Sequence, residues 1–359
     1  MNLKKTLKWV AVVLVALFLG VPVLIVAINA FDEELQPAAQ AFADFSTAEV
    51  PPEQNAYYAW IGLRAAHNEN QHVRGKEIVA HVNKQLDIES REIEIIDIDV
   101  LLGPKHIASK TPPSELNLLC RRDTPGCLDR YRAKDADIAH WVREDKVLLD
   151  RYRALYSYAY FHETIKPRPT APFYSAPATV AALARAQAAQ QALRGNPGGA
   201  LRRLHEDTAF WRRVITDSRL LVNRMIAVAS IQTNAQLISE IIATYRLPTD
   251  KLQIAATAIR PLTDQERDLS GVFRYEFSLG AHMLTHLDSH AYQTDCDSDS
   301  WSACLFGKLS TASLLKPNAT INMSFEKFNR IAQASKLPAK PFLEQVKQAR
   351  GDDESRSFI

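Results

Sequence analysis

Three histidines, His282, His286 and His290, stand four residues apart in the stretch SLGAHMLTHLDSHAYQTDCDSDSWSAC, residues 278–304. On one continuous helix, positions i, i+4 and i+8 share a face, so His282 and His286 could clasp a single metal ion. A metal held in that way can activate water for hydrolysis if a carboxylate stands by as general base. Zinc peptidases of the H-E-x-x-H kind place that glutamate directly after the first histidine, and here Met283 occupies the position. Glu276 and Asp288 are the nearest carboxylates, and neither has the required placement. The plainer account puts the histidines on the polar side of an amphipathic helix whose apolar side is Phe273, Phe277, Met283, Leu284 and Leu287. The run Asp295, Asp297, Asp299 alternates oxygens as a calcium loop does. Ser300 and Phe306, however, stand where such a loop needs its glycine and its bidentate glutamate.

Other catalytic signatures are missing from the sequence. There is no G-x-S-x-G nucleophile elbow, and RGNPGG at 194–199 lacks the lysine of a phosphate-binding loop. His162-Glu163 follows Tyr152, Tyr156, Tyr158 and Tyr160, a set that could line a glycan groove beside a carboxylate. Aromatic packing between helices accounts for it more simply. No cofactor is expected, and the balance tips away from an enzyme.

Elements able to position any site begin with the compartment. Lys4, Lys5 and Lys8 precede an uncharged run from Trp9 to Ile28, and Asp32, Glu33 and Glu34 follow it. Twenty residues in a helix span about 30 Å, the hydrocarbon thickness of a bilayer. The charge asymmetry predicts a signal anchor with the N-terminus in the cytoplasm. The run is too long for a secretory signal's apolar stretch, and Ile28-Asn29-Ala30 is a poor cleavage site. The expected location is a bacterial inner membrane, crossed once, with the bulk of the chain in the periplasm.

Four cysteines fall into two local pairs, Cys120 with Cys127 and Cys296 with Cys304. On an exported chain this pattern predicts two disulfides. Their spacings exceed those of a four-cysteine zinc site. Setting aside the three anchor lysines leaves 40 basic against 41 acidic residues. With no block of Lys or Arg, nucleic acid is excluded as a partner.

Periodicity and composition predict a mainly α protein: the anchor, then an all-α helical bundle with room for a minor β contribution. Helices are expected around Ala56–Leu63, from Asp135 to about Tyr160, over the alanine-rich 178–194 with a stop at Gly195, and from about Ala200 to Tyr245 as one helix or two in line. In the last of these Met225 and Val228 belong to the apolar stripe, and Arg212, Arg213 and Arg219 ride the other faces. Thr263 and Glu266 form a capping-box pattern that opens a helix expected to run on through RDLSGVFRYEFSLGAHMLTHL, and NMSFEKFNRIAQASK predicts a final short helix. REIEIIDIDV, residues 91–100, alternates as a half-buried strand would, and a short helix end with a loop fits equally. The expected organisation is a cytoplasmic 1–8, an anchor at 9–30, helical subdomains at 31–163 and 178–348, a proline-rich connector at 164–177, and a disordered tail at 349–359. The expected function is that of an interaction, scaffold or assembly factor in the cell envelope, with an envelope protein as partner. A membrane-tethered, metal-dependent hydrolase using His282 and His286 is the alternative.

Overall fold

In the computed structural model of the protein, residues 9, 20, 32–44, 50–87, 98–120, 125–166, 175–291, 316–338, 340–345 and 347 are described. The anchor apart from Trp9 and Gly20, the pair Cys296 and Cys304, and the tail at 349–359 lie outside them. Among the described residues no helix is long and apolar enough to cross a membrane.

The protein is mainly helical. In chain order the helices are α1 (Pro37–Ala43), α2 (Ala56–Ile61), α3 (Gln71–Asp87), α4 (Ile98–Leu102) and α5 (Pro113–Leu119). Then come α6 (Cys127–Ala133), α7 (Asp135–Glu144), α8 (Lys146–Ala154), α9 (Ser175–Leu193) and α10 (Pro197–Asp217). Last are α11 (Leu221–Thr244), α12 (Thr249–Ala258), α13 (Asp264–Arg267), α14 (Ser270–Ala291) and α15 (Pro317–Ala334). Among the described residues there is no strand, and ladder pairing is limited to one parallel bridge, Asn55 with Tyr160. Of the run 91–100, read as a strand or as a short helix end with a loop, Ile98, Asp99 and Val100 open α4, which fits the second reading, and residues 91–97 lie outside the described residues. Alternation over so short a run does not exclude a helical turn.

The chain divides into two compact units, one formed by residues 1–45 and 277–330, the other by 46–276 and 331–359. In the smaller unit Ala39, Phe277, Ala281 and Ile321 form a core. Phe42 meets Phe277 edge-on at 5.3 Å and Phe325 at 5.4 Å. Asp32 receives the amides of Asn318 and Ala319 at 2.6 and 3.1 Å, at the positive start of α15.

The larger unit has one apolar core to which helices on both sides of residues 164–177 contribute. At its centre Trp60 meets Phe161 at 5.5 Å and Trp211 at 5.7 Å, both edge-on, and Phe210 packs on Trp211 at 5.4 Å. Edge-on contact sets positive ring rims against negative faces. Cys120, just after α5, is bonded to Cys127, the first residue of α6, with S–S 2.07 Å. Glu240 of α11 caps α6: its oxygens accept the amides of Gly126, Cys127 and Leu128 at 2.8, 3.0 and 2.9 Å. Burial would raise this carboxyl, but those amides and the Gln236 side chain hold it below the usual range.

Three expected helices are broken: the one opening at Thr263 stops at Arg267 and restarts at Ser270, and each of the other two breaks at a polar group that finds partners outside its own helix. The span from Asp135 splits at Asp145. The Asp145 carboxylate accepts from Ser109 Oγ at 2.6 Å, the Lys110 amide at 2.8 Å and the Thr111 amide at 3.0 Å. The span from Ala200 to Tyr245 splits at residues 218–220, and α10 and α11 pack side by side rather than in line. In the alanine-rich helix the expected stop is present: Gly195, just beyond α9, has φ 87°, open to glycine at little cost.

α2 and α3 approach each other closely, backbone to backbone, at Gly62 and Gly75. A Cβ on Gly75 would stand 1.7 Å from the Tyr58 carbonyl oxygen, and one on Gly62 would stand 1.9 Å from that of Gln71. Gly280 in α14, by contrast, has nothing within 4 Å of such an atom. Replacing Gly280 with alanine is expected to stabilise by about 0.5–1 kcal/mol through helix propensity alone. Gly75→Ala gains the same propensity yet is expected to lose roughly 3 kcal/mol net, because backbone must move. Urea unfolding midpoints of the two variants test the opposite signs.

Candidate functional site: an apolar groove on α11

The groove is created by the corner at 218–220. Glu163 lies in the segment after α8 and is 2 % exposed. It accepts from Ser218 Oγ, from the Arg219 amide at 2.8 Å and from Asn223 Nδ2 at 2.7 Å. Arg224, one turn into α11, donates to the carbonyls of Ser218 at 2.9 Å, Asp268 at 2.5 Å and Thr216 at 3.3 Å. One buried anion thus gathers the donors of the turn, and one buried cation gathers its carbonyls. Burial raises the Glu163 carboxyl above its ordinary range, against the opposing pull of these hydrogen bonds.

A second buried charge cluster holds α13 against α10. Arg212 Nη1 meets Glu266 Oε2 at 2.9 Å, and Arg260 Nη2 meets Oε1 at 3.1 Å. Thr263 and Glu266 complete the expected capping box, with Thr263 N donating to Oε2 at 2.7 Å and Glu266 N to Thr263 Oγ1 at 3.2 Å. Burial would raise Glu266; the Thr263 amide, Arg260 and Arg212 together hold it below the usual carboxylate range. Arg212, expected on an outer face, is therefore an interior residue. Helical spacing places a residue on a face, but the partner decides whether a guanidinium can be buried there.

Between these clusters runs an apolar groove of about 560 Å³. Its walls include Leu221, Met225 and Val228 of α11, Leu262 and Leu269 flanking α13, and Phe342. Volumes of this order are typical of ligand-binding clefts, roughly 300–1,000 Å³. Several polar groups along it are bonded within the protein, while Arg267 Nε is buried without a hydrogen-bond partner. Ser335 Oγ accepts the Leu269 amide at 3.1 Å and donates to the Ala332 carbonyl at 2.8 Å, while Arg267 pairs with Asp264. Met225 is 62 % exposed, with Val222 at 40 % and Val228 at 36 %. Met225 and Val228, expected in the core stripe, thus border open space. α11 is apolar around most of its circumference, so its pattern did not reveal which side stayed bare.

The residues singled out from the sequence are distributed as follows. His282 Nδ1 contacts the Ser278 carbonyl at 2.7 Å. A carbonyl only accepts, so Nδ1 carries the proton, and in the neutral ring Nε2 keeps the lone pair. The side chains of His286, Asp288 and His290 lie outside the described residues. Glu276 accepts the Leu221 amide at 3.1 Å. Among the described residues no three His, Cys, Asp or Glu side chains are grouped to hold a metal. Glu163 faces the turn at 218–223, away from catalytic use of the tyrosines. Tyr152 packs edge-on against Tyr156 at 5.6 Å and Phe210 at 6.1 Å, as helix–helix packing anticipates.

With the groove and its corner described, comparison offers no relative to lean on: the chain matches no family model, no curated protein and no solved structure. The class defined by fold and site is a helical protein bearing an apolar cleft.

Glu163→Ala strands the Arg219 amide, the Asn223 amide group and the Arg224 charge, and is expected to cost about 3–5 kcal/mol. Because the folded carboxyl titrates above its ordinary 4.5, the unfolded chain gives up this proton first as pH rises. The stability tied to protonated Glu163 is therefore present below pH 4.5 and falls as pH climbs through the raised value. Glu163→Gln is expected to flatten that part of the profile. Thermal unfolding of wild type and both variants from pH 4 to 8 checks magnitude and slope.

Proposed function

We propose that the protein is a single-pass envelope protein, anchored through residues 9–30 with its bulk in the periplasm, whose helical body binds the apolar face of an amphipathic helix in a partner protein. The observation that carries the reading is the bare ridge Val222, Met225 and Val228 beside the apolar groove. Residues at i, i+3 and i+6 form one of the rows along which a second helix packs. Methionine at the centre of the row adapts to differing partner shapes. Ser335, Glu266 and Arg224 along the groove are already bonded, so an apolar partner strands none of these three on docking. The Cys120–Cys127 disulfide supports an oxidising compartment, and the uncharged run after Lys8 supports the anchor.

A photoreactive residue at Met225 of the full-length protein, irradiated in cells, is expected to label one envelope protein within an apolar segment of helical spacing. Val228→Asp is expected to abolish that label. A label at exposed Val73 serves as control. Labelling of lipid alone, or equal capture from Met225 and Val73, would overturn the proposal.

The hydrolase alternative has one observation in its favour, the Nε2 lone pair left by the His282–Ser278 contact. It expects one metal ion per chain, lost in both His282→Ala and His286→Ala. Elemental analysis of the purified protein decides it, and unchanged metal in either variant would eliminate it.

A further inference from the structure

Away from the groove, a cavity of about 190 Å³ opens between the end of α8, α9 and α10. Three guanidiniums line it, those of Arg153, Arg185 and Arg203, together with Tyr156, Glu206 and Asp207. What matters is how these charges are balanced.

Asp207 is fully engaged inward. Tyr152 and Tyr156 donate their hydroxyls to its Oδ1 at 2.6 and 2.9 Å, and Asn234 Nδ2 donates to Oδ2 at 2.7 Å. Asn234 then accepts Arg185 Nε on its own Oδ1 at 2.8 Å. The amide side chain therefore stands between the buried anion and the buried cation. Arg185 is 7 % exposed, and among the described residues no carboxylate lies within 4.0 Å of it or of Arg203. Arg153 reaches Asp150 at only 3.7 Å. Arg153 and Arg203 instead converge on one neutral acceptor, Gln187 Oε1, with Arg203 Nη1 at 2.9 Å. Burial, and after it the neighbouring Arg153 charge, weakens the hold of Arg203 on its proton. Glu206, exposed on the same lining, opposes this in part, its charge weakened by solvent screening.

Buried charges in proteins are ordinarily paired. Of the three, only Arg185 is buried, and among the described residues it lacks a carboxylate within 4.0 Å; the part-exposed Arg153 and Arg203 share one uncharged oxygen, so three guanidiniums face an exposed Glu206 and an inward-bonded Asp207 across the cavity. Guanidinium forks match the geometry of tetrahedral oxyanions and bind them in bidentate fashion. The volume corresponds to roughly six waters at about 30 Å³ each, room for a phosphate group with a small substituent. We propose that this cavity is an oxyanion site that takes inorganic phosphate or a small phosphomonoester, held by Arg153, Arg185 and Arg203.

The site makes a prediction that a purely structural role for these arginines does not. Without anion, Arg203→Gln removes a repulsion and is expected to raise the melting temperature of the full-length protein in detergent. With inorganic phosphate added, the wild type is expected to gain stability saturably and the variant to lose at least tenfold in affinity. Arg203→Lys keeps a point charge without the fork and should fall between. Arg202→Gln, an exposed neighbour, should match wild type in both respects. Calorimetric titration with phosphate, and with chloride at matched ionic strength, reads the affinities. Equal stabilisation by phosphate and chloride would overturn the site, as would phosphate affinity unchanged in Arg203→Gln. Arg185→Gln is not used, since the Asn234–Asp207 chain depends on it.

Discussion

A carboxylate sealed in an apolar interior must be surrounded by donors or give up its charge. Glu163 finds its donors on a different part of the chain, in Ser218, Arg219 and Asn223. They converge on it only if the helical run stops after Asp217 and restarts at Leu221. Arg224 reinforces the stop by taking the carbonyls of Thr216 and Ser218, which have no partner beyond the end of α10. The two longest helices of the larger unit therefore fold against each other. Had the run from Ala200 continued straight, neither the inner faces of α10 and α11 nor the bare face of α11 would exist as such.

The same logic is repeated at smaller scale. Asp145 collects Ser109, Lys110 and Thr111 and ends one helix as another begins. Glu240 collects three amides at the start of α6, beside the disulfide. Glu266 collects Arg212, Arg260 and the Thr263 amide. Each acidic side chain joins segments far apart in sequence, and the apolar core fills the space between the joints. Such joints specify geometry more than they add stability, because desolvation offsets much of the attraction. Where the joints leave a gap, as along Met225 and Val228, an apolar surface remains open. Around Arg203 the gap is lined by three guanidiniums, with Glu206 and Asp207 beside them.

Much of the helical content was legible in the residues. Gly195 ended the alanine-rich helix as expected, and Thr263 with Glu266 formed its capping box. These are local signals, satisfied within a few residues. The Cys120–Cys127 bridge was legible for the same reason, since Pro125-Gly126 closes a short turn. The breaks at Asp145 and at 218–220 were not, because their partners lie 34 and 56 positions away in sequence, as in Thr111 to Asp145 and Glu163 to Arg219. Glu163 was noticed in the sequence for its aromatic neighbours, and its actual partners could not be inferred from spacing. Neither arginine cavity nor groove carried a motif: Arg185, Arg203 and Met225 are ordinary residues of long helices until the helices are packed.

The sequence alone settled part of what depends on short-range chemistry: the alanine-rich helix and its stop at Gly195, the Thr263–Glu266 capping box, and the loop closed by Cys120 and Cys127. Tertiary structure alone decided which charges are buried and which apolar side chains stay bare. The physical reason is that helix propensity and capping act over about one turn, whereas desolvation of Glu163, Asp207 and Arg212 is set by whichever distant segment comes to lie against them.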